Sequence, residues 1–359
     1  MNPDAADPMT RAASMFDAGA ARRHLDRLAK PPGSLGRLED LAGRLATIQG
    51  TLVPRTRPRR LVLFAADHGV VAAGVTMWPA AVTGVMIGSI LRGGAACAVL
   101  AEAVDADLRL VDVGAQSDPH PERPGYRVAR VGPGTANLAD GPAMTAAQFD
   151  RALAEGRAEA LRAHADGMAV VAAGELGIGN TTAASCLAVL LADIPVDRAV
   201  GRGAGADDAT LARKRAVVAA AAGRARDQLG AARRGAIAAV AGFEIVAMAG
   251  FYAEAHRLGL TIVLDGMIAT AAALIAEALG PGTVGSMIAA HRSAEPAHGA
   301  MLARLGLDPL LSDWHLRLGE GTGALLALPL LDAAAAILVG MHTLDELGIA
   351  PEEPADARD

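Results

Sequence analysis

Apolar positions along the chain fall into two spacings that alternate. Leu61 to Ala65, Leu108 to Val113, Met168 to Ala173 and Leu260 to Leu264 are short apolar runs. Each ends in a turn containing Gly or Asp and leads into a longer stretch with helical spacing. Unbroken runs suit strands buried on both faces, so the alternation predicts an α/β fold with a mostly parallel sheet and helices on both faces. No repeat of the sequence is visible.

The two ends of the chain read differently. Leu25 and Leu28 sit at helical spacing until Lys30-Pro31-Pro32-Gly33 breaks the helix. Ser34 is placed to cap a second helix with the stripe Leu35, Leu38, Leu41, Leu45 and Ile48. Pro54 to Arg60 reads as a connector. The most apolar span, Gly323 to Met341, contains Pro329 and Asp332 and reads as a buried helix, not a membrane span. Terminal helices have no strands to cover, so they are expected to pack together. This gives a large α/β domain at 60–300 and a small helical domain from 1–59 and 301–359.

Composition narrows the function. Of 359 residues, 52% are apolar and only 3% aromatic, so the core must be Ala, Leu, Val and Ile packing. A net charge of -6 gives no general attraction to nucleic acid. Cys97 and Cys186 lie within apolar helical patterns and read as buried small hydrophobes, not a redox pair or metal site. Met1 to Thr10 is polar and acidic with two prolines, which is not a signal peptide and suggests a cytoplasmic protein.

Leu316-Arg317-Leu318-Gly319-Glu320-Gly321-Thr322-Gly323 carries the sharpest chemical signal. It sets one carboxylate between two glycines ahead of a long apolar helix, where the backbone can approach a ligand closely. A solvated surface Glu needs none of this, so Glu320 reads as a proton acceptor. The run Met168 to Ala173 leads into Gly174-Glu175-Leu176-Gly177-Ile178-Gly179-Asn180-Thr181-Thr182, with a helix starting near Ala183. Backbone N–H groups and three side-chain donors at a helix N-terminus suit a phosphate. A structural turn is the bland alternative, and the Asn-Thr-Thr cap tips the balance toward phosphate. The stretch lacks the Lys of a P-loop and the third glycine of the dinucleotide fingerprint.

Gly201-Arg202-Gly203-Ala204-Gly205 repeats the theme ahead of Arg213-Lys214-Arg215. Spacing alone favours a flexible loop and a solvated helix face here, with a second wall of the anion site as the alternative. Asp67-His68-Gly69 stands where open α/β sheets bind ligands. His291 to His298 holds two His and a Glu, but the spacing does not put them on one helix face and Pro296 interrupts it, so no metal is expected. Ser293 as a hydroxyl donor is the more modest reading. Asp265-Gly266 either bonds a sugar hydroxyl or closes a turn.

Together these stretches resemble one family, the nicotinate-nucleotide–dimethylbenzimidazole phosphoribosyltransferases. The resemblance runs from Lys30-Pro31-Pro32-Gly33-Ser34-Leu35-Gly36-Arg37-Leu38-Glu39 through Asp67-His68-Gly69-Val70 and Gly141-Pro142-Ala143-Met144-Thr145. It continues through Gly174 to Thr182, Gly201 to Gly205, Phe243-Glu244-Ile245, Leu264-Asp265-Gly266 and His291-Arg292-Ser293-Ala294-Glu295, ending with Leu318 to Gly323. It implies a Rossmann-like sheet, a small helical domain from both termini, a homodimer and no cofactor. The implied reaction moves 5-phosphoribose from nicotinate mononucleotide to 5,6-dimethylbenzimidazole. By matching motifs, Glu320 is the base and Glu175 a secondary acid at the ribose. Gly177, Ile178, Gly179, Asn180, Thr181 and Thr182, with Gly203 and Gly205, would hold phosphate and ribose, joined by Lys214, Asp265 and Ser293.

By the resemblance, Gly74 to Met86 corresponds to the base-binding region, so Met77, Trp78, Val85, Met86 and Leu318 are expected to line it, with core packing the alternative for Met77, Trp78 and Met86. Val85 stands where better-studied members of the family tend to carry glutamine, which leaves the acceptor open to another benzimidazole or a purine. Two other classes compete. A nicotinamide-dependent oxidoreductase fails on the absent three-glycine fingerprint. A nucleotide-binding module without chemistry would have no use for Glu320.

Overall fold

Six runs become strands, two more than the spacing identified. The computed structural model describes residues 16, 18–203 and 205–349; the expectation for Met1 to Thr10 falls outside them. The strands are β1 (Arg59–Ala66), β2 (Asp107–Gly114), β3 (Tyr126–Val128), β4 (Val170–Leu176), β5 (Thr261–Leu264) and β6 (Met287–Ala289). They form one sheet in the order β3-β2-β1-β4-β5-β6, and every pairing is parallel. Every residue of β1, β4 and β5 is buried, the reason their apolar runs are continuous. β3 and β6 have three residues each, too short for a run to stand out.

The helices are α1 (Ala18–Arg27), α2 (Arg37–Gln49), α3 (Val82–Leu91), α4 (Ala96–Ala103), α5 (Ala146–Ala165), α6 (Asn180–Leu191), α7 (Val196–Ala199), α8 (Asp208–Leu229), α9 (Arg233–Ala238), α10 (Phe243–Arg257), α11 (Met267–Leu279), α12 (His298–Leu305) and α13 (Thr322–Gly340). This strand order changes direction between β1 and β4. Such a switch point opens a crevice at the carboxyl ends of the strands. The loops after β1 and β4 carry Asp67-His68-Gly69 and Gly177 to Gly179.

The chain divides into two compact units, 57–327 and the described parts of 1–56 with 328–359. Residues 301–327, expected in the small domain, therefore belong to the large unit. Met301 and Leu305 of α12 lie in its hydrophobic core, which also holds Met267 and Leu274 of α11. In the small unit, α2 starts from Gly36 with no side-chain cap, so Ser34 does not cap it. Glu39, three residues inside the helix, takes over: it accepts the Leu35 N–H at 3.0 Å and pairs with buried Lys30 at 2.7 Å. α13 and the 82–103 stretch are apolar enough to cross a membrane by length and composition alone. Ala324, Leu325, Ala327 and Leu331 of α13 are buried within the protein, as a core helix requires.

Candidate functional site

Above the switch point lies a cavity of about 460 Å³, within the range of small-molecule sites. Its walls come from the loop after β4, the start of α11, the 291–295 loop, the 317–320 loop and the segment 76–86.

Glu320 borders this cavity with only 5% of its surface exposed. Its backbone is left-handed, φ 57°, a conformation that a residue other than Gly adopts only when its surroundings hold it. The flanking glycines explain the crowding. A Cβ at Gly319 would stand 2.2 Å from Glu175 Oε1, and one at Gly321 would stand 2.5 Å from Leu61 Cδ1. Sequence reading placed no partner near Glu320, but the structure sets Cys97, at the start of α4, beside its carboxylate, where the thiol and backbone favour the ionised form. Burial pushes the carboxyl above the usual range, neighbouring Cys97 offsets part of this, and the charge of Asp265 adds to it. Oε2 is buried and has no hydrogen-bond partner among the described residues. The apolar reading of Cys97 missed this role because nothing in α4's sequence marks it.

Glu175, at the end of β4, is 6% exposed and accepts from the Asn180 side chain. Burial raises its pKa well above the ordinary carboxylate value, and the charges of Glu244 and Asp265 raise it further. Asn180 therefore faces an acid. α6 begins there, three residues earlier than expected, with Gly179 as its left-handed N-cap. Gly177, Ile178, Gly179 and Thr181 line the cavity; Thr182 is wholly buried and does not. The Ile178 N–H is taken by Thr83 Oγ1 at 3.2 Å, and Thr83 in turn donates to Asp67 at 2.6 Å.

The expectation of a solvated face for Lys214 fails. Lys214 is 2% exposed, and its ammonium donates to Thr181 Oγ1 at 2.8 Å and the Gly201 carbonyl at 3.2 Å. Burial lowers its pKa, and Glu295 opposes that shift. The interior position follows from α8 packing on α6, which turns this one cation of the basic cluster inward. Gly203 borders the cavity and accepts from Arg317 at 3.1 Å, while Gly205 lies outside the lining.

Asp265 was expected to hold a sugar hydroxyl or close a turn. Its carboxylate instead accepts backbone N–H groups from Gly323 at 2.7 Å, Ala324 at 3.1 Å and Gly321 at 3.2 Å. Ser293 lines the cavity, and its N–H donates to His298 Nδ1 at 2.8 Å. With Nδ1 accepting, the His298 proton sits on Nε2, bonded to Thr270 Oγ1 at 2.9 Å. Burial drops its pKa to about 3, so the ring is neutral, and neither nitrogen is left for a metal.

On the apolar wall, Trp78, Met86 and Leu318 line the cavity together with Val82. Met77 and Val85 do not: they are 59% and 66% exposed and lie outside the lining. Val82 and Met86, four residues apart on α3, share the face that meets the cavity, and Val85 lies off that face, exposed. Sequence reasoning set His68 at the ligand end of the sheet but did not foresee its pairing with Glu244. They form a fully buried pair at 2.8 Å under the Gly177–Gly179 turn, where His68 Cβ would lie 3.2 Å from a Cβ on Gly179.

Known proteins resemble this arrangement over nearly the whole chain. A family model described as Phosphoribosyltransferase matches residues 13–349. A nicotinate-nucleotide–dimethylbenzimidazole phosphoribosyltransferase of Thermus thermophilus is 48% identical over 329 residues, 92% of this chain and 97% of the relative. Its counterpart of the same name in Aromatoleum aromaticum is 43% identical over 347 residues, 95% of this chain and 99% of the relative. The crystal structure of CobT from Thermus thermophilus superposes with a TM-score of 0.88 at 47% identity, covering 93% of this chain and 98% of that one.

Proposed function

The chain belongs to the nicotinate-nucleotide–dimethylbenzimidazole phosphoribosyltransferase family, and from that premise we infer how its large unit does the chemistry. The enzyme transfers 5-phosphoribose from nicotinate mononucleotide to a benzimidazole, 5,6-dimethylbenzimidazole by the family's name, releasing nicotinate and α-ribazole phosphate. Nicotinate is bound to ribose through a cationic pyridinium nitrogen and leaves as a neutral pyridine, so the leaving group needs no acid. The acceptor attacks C1′ through one ring nitrogen, and its other N–H must then lose a proton. One carboxylate base is enough, and Glu320 takes that role.

The observation that carries this reading is the unpartnered, buried Oε2 of Glu320 at the edge of the cavity. Lys214, Thr181 and Ser293 supply charge and donors for a phosphate, with the Gly177–Gly179 turn ahead of the α6 N-terminus. Glu175 stands beside Gly319 and would oppose positive charge developing at C1′ once it ionises. Trp78, Val82, Met86 and Leu318 would sandwich the aromatic acceptor. We further propose a cytoplasmic homodimer, as the sequence resemblance implies; a native mass of one chain by light scattering would rule the dimer out.

Glu320→Gln keeps the shape and removes the base. Turnover should drop about 10²–10⁴-fold while calorimetric binding of nicotinate mononucleotide persists. Near-normal product formation by that variant would end the assignment.

A further inference from the structure

Asp265 borders the cavity, yet both of its carboxylate oxygens already accept hydrogen bonds from the backbone. Three backbone N–H groups donate to its carboxylate, and they belong to Gly321, Gly323 and Ala324, just after Glu320. Gly323 and Ala324 are in the first turn of α13, whose N–H groups have no partner within the helix. Asp265 thus caps α13 from a distant strand end, and its charge faces the positive end of that helix.

The other neighbour of Glu320 is pinned as well. The Gly319 carbonyl accepts from the Thr322 N–H at 3.1 Å and from Thr322 Oγ1 at 2.8 Å. Glu320, with its left-handed backbone, is therefore bracketed by a bond from Gly321 to Asp265 and by the Gly319–Thr322 closure. His291 supports Asp265 from behind, with Nε2 3.6 Å from Oδ1. His291 is in turn packed edge-on against His298, their ring centres 5.9 Å apart.

We propose that Asp265 is a positioning residue that holds the Glu320 base in register with the acceptor, and is not a ligand of the ribose. The proposal rests on the assignment of Glu320 as base. Three of the roughly four acceptor sites of the carboxylate are committed to the segment that follows Glu320, so its bonding is spent chiefly on that segment. Misplacing a reacting group by about 1 Å can slow a reaction about 10²-fold, which sets the expected effect.

The test is a two-by-two set: wild type, Asp265→Asn, Glu320→Gln and the double variant. Each is read for kcat with nicotinate mononucleotide and dimethylbenzimidazole, and for donor Kd by calorimetry. Asn keeps one acceptor oxygen and turns an NH₂ toward the amides. Asp265→Asn should lower kcat about 10²-fold while donor Kd changes less than about threefold. In the Glu320→Gln background the same change should remove less than about threefold more, because residues acting as one unit are not additive.

Equal losses in both backgrounds would overturn the proposal, as would a weakened donor Kd with kcat intact. If Glu320→Gln itself turns over normally, the base assignment falls and this proposal with it. If Glu320→Gln is impaired and the losses are additive, only the role of Asp265 falls. Should Asp265→Asn prove unfolded by circular dichroism, Asp265→Glu enters the same cycle. It keeps charge and both oxygens but shifts them by a methylene, and its loss of kcat should likewise vanish beside Glu320→Gln.

Discussion

At the scale of single residues, Glu320 works against its own burial. A base must be ionised, and burial pushes the Glu320 carboxyl above its ordinary 4.5. Protonation therefore begins at higher pH than for a surface Glu, and kcat should fall on the acid side with an apparent pKa above 4.5. Cys97, beside the carboxylate, favours the ionised form. Cys97→Ala removes the thiol, so the acid limb of the kcat profile should move further up in pH. An unmoved limb would mean that the thiol contributes nothing. Glu320 was legible in the sequence because two glycines frame it, and so was the Gly177–Thr181 turn. Cys97 and the inward turn of Lys214 were not. Their roles depend on which side of a helix meets which neighbour, and that is settled by packing between segments far apart in sequence. The Val85 expectation failed for a related reason, since correspondence of position along a helix carries no information on facing unless the helix start is known.

Among elements, the tightest meeting is α5 against α10. Gly156 and Gly250 let their backbones approach so closely that a Cβ at Gly156 would lie 1.7 Å from the Ala247 carbonyl oxygen, and one at Gly250 2.2 Å from that of Leu153. Gly156→Ala would ordinarily help an exposed helix, by about 1 kcal/mol. Here the helices must move apart, so the variant should lose stability, by about 1–3 kcal/mol in calorimetry. A raised Tm would show that α10 can retreat freely. Strand recognition followed burial in the same way. β1, β4 and β5 were visible because both faces are covered, whereas β3 and β6 pair through three residues each. The start of α6 was misjudged because Asn, Thr and Thr favour caps and turns, and here Glu175 engages the Asn180 side chain instead.

For the molecule as a whole, the strand order decides where chemistry gathers. Reversal between β1 and β4 brings the ends of β1, β4 and β5 to one crevice, and the 317–320 loop returns over it from late in the chain. The alternation of runs in the sequence was enough to foresee a parallel sheet. It was not enough to foresee that residues 301–327 join the large unit, because α12 enters the core through only a few apolar side chains. The groups proposed to grip the donor come from β4, α6, α8 and the 291–295 loop. The apolar wall proposed for the acceptor comes largely from 76–86. Donor and acceptor preference are therefore written in separable stretches of the chain. Grafting residues 76–86 from a relative that uses a different base should transplant that base's preference, read as a reversed ratio of kcat/KM for the two acceptors. The KM for nicotinate mononucleotide should stay put. A lineage could accordingly drift from one lower-ligand base to another by changing a single cassette, without relearning how to hold its phosphoribosyl donor.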